Sequence, residues 1–249
     1  IKSGICQAYE RIKSGTEQTI QGNIRTFWYQ WVKPVLAHIP DDDQTTTDPY
    51  DLMLRAFSEL ILERKLFHYA DFDFTDENWE NRRIGTTRPE ILVFSEKRGW
   101  IRFLREIHEK FGVSTLALGG APSALTSEYT TKHIKEALGS KETPVKLIGV
   151  VDYDPSGDII AEAFRGQLQA CGLEVSSLIT IVEPKHYRTE ELEIYKYPLP
   201  AGQKTKTEKW LKKTGGIYEE AYGLEAESMP RALMNKLVEA QIIEVNSQS

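Results

Sequence analysis

Hydrophobic and polar positions change rhythm along the chain near Gly85. Before it, apolar residues recur at helical spacing. Ile5 to Lys13 predicts a helix closed by Ser14-Gly15, Thr16-Glu-Gln-Thr starts the next element, and Ile24 to Leu36 predicts an aromatic-rich helix ending near Pro34. Asp41 to Thr47 is a polar loop. Asp48-Pro49 then caps a further helix, with Leu52, Ala56 and Leu60 on its apolar face and Glu63-Arg64 on its charged one. Lys65 to Tyr69 and Phe72 to Phe74 alternate like two short strands.

After Gly85-Thr-Thr-Arg-Pro89 the pattern becomes alternating strand and helix. Ile91–Phe94, Ser114–Leu118, Val145–Val151 and Leu178–Val182 are apolar, β-branched runs of strand length. Gly99–Phe111, Ser123–Leu138 and Ile159–Cys171 between them have helical spacing. That order predicts an α/β domain over 86–249, a parallel sheet flanked by helices, with a C-terminal helical extension. Short helices followed by a hairpin predict a mainly helical, winged-helix-like DNA-docking domain over 1–85; a plain helical cap is the alternative.

In such sheets reactive groups collect beyond the carboxyl ends of the strands. Three segments fall there: Ser95-Glu96-Lys97, Gly119-Gly120-Ala-Pro122 and Asp152-Tyr-Asp154. Asp152 and Asp154 are two apart at a strand end, so their oxygens suit Mg²⁺, a hard ion that takes oxygen ligands. Asp154 before Pro155 also reads as an ordinary helix N-cap.

Composition narrows the choices. The 249 residues are 40% hydrophobic, enough for a sizeable core, and no apolar run approaches a membrane span. Cys6 and Cys171 are too few and too far apart for a disulfide framework or a zinc site, which favours a cytoplasmic setting. A net charge of −6 argues against general stickiness toward nucleic acid and leaves room for a local basic groove. The basic candidates are Arg82-Arg83, Arg88, Lys97-Arg98, Arg102, Arg105 and the run Lys204-Thr-Lys206-Thr-Glu-Lys-Trp210-Leu-Lys-Lys213. The five histidines have no ligand-like spacing, and no Gly-x-x-x-x-Gly-Lys motif is present.

A Glu after the first strand and Asp-x-Asp after a later one resemble a Toprim domain. Ile91-Leu-Val-Phe-Ser-Glu96-Lys97 is similar to the first Toprim motif in the DNA-cleaving subunit of topoisomerase VI and in the related meiotic double-strand-break transesterase. Gly119-Gly-Ala-Pro-Ser-Ala-Leu-Thr126 resembles their Gly-x-Pro-x-x-x-Thr-Arg segment, with Ser127 in place of the arginine. Asp152-Tyr-Asp-Pro-Ser-Gly157 resembles their Asp-x-Asp-Pro-x-Gly, and Arg25-Thr-Phe-Trp-Tyr29 their Arg-x-x-x-Tyr. Glu225 and Glu227 resemble an acidic patch late in the family.

The resemblance implies Mg²⁺-dependent DNA cleavage, with Mn²⁺ as a substitute. Glu96, Asp152 and Asp154 would hold the metal, and Tyr29 would attack the phosphodiester with Arg25 on the phosphate. Lys97, Arg98, Gly120, Lys204 and Lys206 are the candidate DNA contacts. It also implies a homodimer and a separate ATPase subunit. On the residues alone, Tyr29 reads first as a member of an aromatic core with Phe27, Trp28 and Trp31, since aromatics at helical spacing usually pack. A Toprim nuclease of Wadjet-type plasmid defence using activated water, an aspartyl-phosphate phosphatase and an inactive DNA- or partner-binding scaffold are the rival readings.

Overall fold

The computed structural model describes residues 1–36 and 48–244. They form two compact units, Ile1–Glu77 with Ser123–Tyr129, and Asn78–Pro122 with Thr130–Ser249. The polar loop expected over Asp41–Thr47 lies outside the described residues.

The first unit is helical. α1 spans Lys2–Lys13, and the chain turns at Gly15, whose φ of +72° suits glycine. Thr16–Thr19 starts no helix; the next one begins where Asn23 accepts a hydrogen bond from the Thr26 amide. From there α2 (Ile24–Phe27), a wide π turn (Trp28–Val32) and α3 (Lys33–Leu36) follow without a break. The helix passes through Pro34 because the wide turn before it, closed by Lys33 N–H on Trp28 O, relieves the clash a proline ring makes with the carbonyl four residues back. α4 covers Pro49–Ser58, capped by Asp48 as the sequence predicts.

The two short strands expected over Lys65–Tyr69 and Phe72–Phe74 do not form. Tyr69–Phe72 is a 3-10 turn, Asp73 is left-handed at φ +58°, and Phe74 makes an isolated bridge to Gly22. The alternation has another cause. Phe67, Tyr69, Phe72 and Phe74 all enter one core with Phe27 and Phe57. Phe72 stacks on Phe74 at 5.3 Å while Phe27 and Phe57 meet edge to face at 5.1 Å, contacts worth about 0.5–1.5 kcal/mol each beyond burial. Among the described residues this unit has helices and turns but no hairpin.

The second unit is α/β and follows the predicted order. Its elements are β1 (Arg82–Arg83), β2 (Arg88–Ser95), α5 (Ile101–Phe111), β3 (Val113–Ala117), α6 (Ala124–Leu138), β4 (Val145–Val150), α7 (Pro155–Ala170) and β5 (Val175–Thr180). α8 (Thr189–Tyr195), β6 (Tyr197–Pro198), α9 (Lys204–Thr214), β7 (Tyr222–Gly223) and α10 (Arg231–Ile243) follow. The first turns of α6 count with the helical unit, where Ala124 and Leu125 are buried. The unit begins at Asn78 and not at 86, because Arg82 and Arg83 pair antiparallel with Leu116 and Thr115 of β3.

The sheet order is β1-β3-β2-β4-β5, parallel apart from β1. Ile91, Val93, Ile148 and Val150 face α5 and α10, while Leu92, Phe94, Leu147 and Phe164 of α7 form the layer on the other face. Alternation along fully buried strands feeds both layers, so β2 and β4 read as unbroken apolar runs. No helix among the described residues is long and apolar enough to cross a membrane.

Candidate metal centre

The chain leaves β2 for β3 on one side, then crosses to β4 on the other. That reversal opens a crevice at the carboxyl ends of β2 and β4, the place where open α/β sheets gather ligands. Glu96 follows β2 and Asp152 follows β4, and the Glu96 amide donates to Val150 O across the gap at 3.2 Å. The Gly120 amide donates to Glu96 O at 2.9 Å, from a backbone of φ +123° that only glycine adopts without strain. So the three expected segments do converge.

The Asp-x-Asp-Pro-Ser-Gly continuation is explained by packing. Asp154 Oδ1 accepts from the Gly157 amide at 2.7 Å and caps α7, with Pro155 as its first residue. A Cβ at position 157 would stand 2.2 Å from Asp152 O, so the helix reaches the strand end only with glycine there. Asp154 Oδ2 accepts from the Tyr197 hydroxyl at 2.8 Å. The cap reading of Asp154 therefore describes it, and the group of carboxylates that could hold a metal ion does not include it.

The late acidic pair completes the cluster. Tyr153 and Leu224 exchange backbone hydrogen bonds of 2.9 and 3.1 Å, which brings the 225–227 turn beside Asp152. Asp152 Oδ1 accepts from the Ala226 amide at 2.8 Å. One oxygen each from Asp152, Glu225 and Glu227 lies within 4.8 Å of the others, a set that could hold a metal ion. Lys97 stands among them, with Nζ 3.0 Å from Asp152 Oδ2, 2.5 Å from Glu225 and 2.8 Å from Glu227.

Electrostatics follow from burial and crowding. Burial raises the Glu96 pKa above its ordinary value, Asp152 repels its charge further, and Lys97 offsets part of this. Burial also raises Asp152, against the Ala226 amide and Lys97, which favour its anion. For Lys97 burial opposes the charge, but hydrogen bonds to Glu225, Glu227 and Asp152 outweigh it and raise the pKa. Burial and Asp154 raise Tyr197, which keeps it a neutral donor. Glu96 Oε2 is buried with no hydrogen-bond partner among the described residues. An orphaned carboxylate oxygen beside an all-oxygen cluster fits a hard divalent cation.

The other expected residues belong to the helical unit or play different parts. Tyr29 is in the helical unit, on the widened turn, and is 55% exposed, so it is not a core aromatic. The cation over its ring is Lys33 at 4.9 Å, while the Arg25 guanidinium lies over Tyr50 at 5.3 Å. Arg98 is exposed and flanks Gly119. Lys204 and Lys206 are exposed at the start of α9. Trp210 of the same run is buried against Tyr153, which removes it as a stacking surface for nucleic acid. Tyr197 belongs to no motif, so no sequence signal singles it out. Comparison of the chain with protein-family models and with curated proteins gives no match.

Proposed function

We propose that the chain is a Mg²⁺-dependent DNA strand-cleaving enzyme of the topoisomerase VI type, with Mn²⁺ as a substitute. The observation that carries the proposal is the cluster of Asp152, Glu225 and Glu227 beyond the carboxyl end of β4, with Glu96 after β2 close enough for Asp152, Asp154 and Glu225 to repel its charge. The motif resemblance names the reaction, and the helical unit is the proposed DNA-docking part, without the hairpin of a winged helix among its described residues. Glu96, Asp152 and Asp154 hold the metal in this reading, with Glu225 and Glu227 beside them. When bound, the ion neutralises charge on the phosphate and the leaving oxygen.

Tyr29 supplies the nucleophile. Its oxygen forms the bond to phosphorus, the P–O bond to the sugar breaks, and the sugar oxygen leaves with a proton. A phenol is a poor nucleophile at neutral pH and needs a cation near its oxygen in the transition state. Arg25 and Lys33, both one helical turn from Tyr29, are the cations the chain offers. Wide π turns are frequent at functional sites, and Tyr29's place on one supports this role. Lys97, Arg98, Gly120, Lys204 and Lys206 are the proposed DNA contacts. A homodimer gives two equivalent sites for the two strands of a duplex. A separate ATPase subunit drives strand passage, and the setting is cytoplasmic.

A second reading rests on the exposure of the metal cluster: Glu225 and Glu227 are each 52% exposed, which admits water, and an activated water would then be the nucleophile. Supercoiled plasmid incubated with Mg²⁺ separates the readings. The first expects nicking together with a covalent protein–DNA adduct, both lost in Tyr29→Phe and in Asp152→Ala. Cleavage that survives Tyr29→Phe and leaves no adduct selects the water mechanism. An inert parent protein selects a scaffold.

A further inference from the structure

A second site lies at the β1 edge of the sheet. Trp79, Glu80, Arg82, Arg83, Arg105 and His133 line an open groove of about 750 Å³. Trp79 is 69% exposed, although a tryptophan gains most by burial. It precedes β1 on a one-turn 3-10 helix, Trp79–Asn81. Arg82 is buried beneath, donating to Thr130 Oγ1 and His133 Nδ1 at 3.2 Å each. Arg83 is anchored on the carbonyls of Glu80 and Arg82, and Arg105 is exposed on α5. Three arginines face one acid, Glu80, in a chain whose net charge is −6. The groove is thus a local reversal of sign with an aromatic face in it.

Its place in the fold gives it direction. β1 runs antiparallel, with Arg82 opposite Leu116 near the carboxyl end of β3. Trp79, three residues earlier, therefore lies at the end of the sheet where Glu96 and Asp152 sit. β1 is two strand spacings from β2, about 10 Å.

We propose that this groove docks single-stranded nucleic acid, with a base stacked on Trp79 and neighbouring phosphates held by Arg83 and Arg105. The choice of occupant rests on the reading of the chain as a DNA enzyme. The chemistry is independent of the metal: stacking tolerates any base, and guanidinium groups match phosphate oxygens. A strand held here is led toward the carboxyl ends of β2 and β4.

The test is binding of a fluorescent oligothymidylate to the full chain in chelator, at low and physiological salt. Trp79→Ala should weaken binding about tenfold or more, and Trp79→Phe should restore most of it. Arg105→Glu should weaken it and flatten the salt dependence. Both side chains are exposed, so these variants should keep the parent melting temperature. Trp79→Ala binding within twofold of the parent overturns the proposal. So does inorganic polyphosphate displacing the oligonucleotide with equal potency, which marks a bare anion patch. Loss of self-association in Trp79→Ala with binding unchanged reassigns the surface to a contact between copies. Plasmid cleavage is scored separately. An inert parent whose binding still depends on Trp79 removes the enzyme reading alone, and active cleavage with Trp79-independent binding removes the groove alone.

Discussion

Lys97 Nζ lies 3.0 Å from Asp152 Oδ2 and closes the space that Asp152, Glu225 and Glu227 enclose. An ammonium there is a tethered counter-ion, and an incoming divalent ion must displace it. Lys97→Met should raise Mg²⁺ or Mn²⁺ affinity about tenfold, the equivalent of about 1.4 kcal/mol. In chelator the same variant leaves three carboxylates facing one another and should melt lower, by about 2–4 °C for each kcal/mol lost. Titration of the melting temperature with Mn²⁺ reads both effects, and an unchanged affinity would remove Lys97 as a competitor.

Glu96 gives a pH dependence of definite sign. Its folded pKa is raised above the unfolded value, so its ionisation disfavours the fold. The penalty is absent below the ordinary carboxylate range, appears as pH rises through it, and is complete above the raised value. Glu96→Gln should therefore melt above the parent at pH 7 in chelator, and the gap should close as pH falls below about 4. A gap independent of pH would trace the gain to packing.

Asp154 serves two ends that two substitutions separate. Asp154→Ala removes the Oδ1 acceptor for Gly157 N–H and should cost about 1 kcal/mol of stability. Asp154→Asn keeps an acceptor and should fold like the parent. If Asp154 also holds metal, the asparagine variant loses the Mn²⁺-dependent rise in melting temperature. A full rise would leave it a cap only.

The proposed homodimer, in which Tyr29 of one copy works at the metal site of the other, is tested by complementation. Tyr29→Phe and Asp152→Ala chains, each inert, should on mixing form dimers with one intact pairing of tyrosine and metal site, and so nick one strand. Tyr29 is exposed, so its variant should stay folded. A mixture as inert as its parts would place both functions in one chain.

The sheet was legible because its strands are buried on both faces and read as continuous apolar runs, as Leu147 to Val151 does. Asp152 and Glu96 were legible because each follows such a run. The helical unit was less so: Phe67, Tyr69, Phe72 and Phe74 alternate like a strand yet pack a compact turn. Glu225 and Glu227 stand out only through resemblance, since the Tyr153–Leu224 bridge that places them joins segments some seventy residues apart in sequence. Trp210 and Trp79 exchanged the roles their surroundings imply. The basic run hides a buried ring, and the exposed one stands among Arg82 and Arg83, its neighbours in sequence, and Arg105 from α5.

The Tyr153–Leu224 bridge also sets when the cluster comes into being. A chain emerging from the ribosome can lay down β2, β3, β4 and β5 in turn, and domains fold as they emerge. Before residues 225–227 are added, neither the two glutamates nor the Ala226 amide that anchors Asp152 exists. The nascent protein is thus born without its full acidic cluster. Completion of that cluster waits on synthesis through Glu227, so products terminated before that residue lack it.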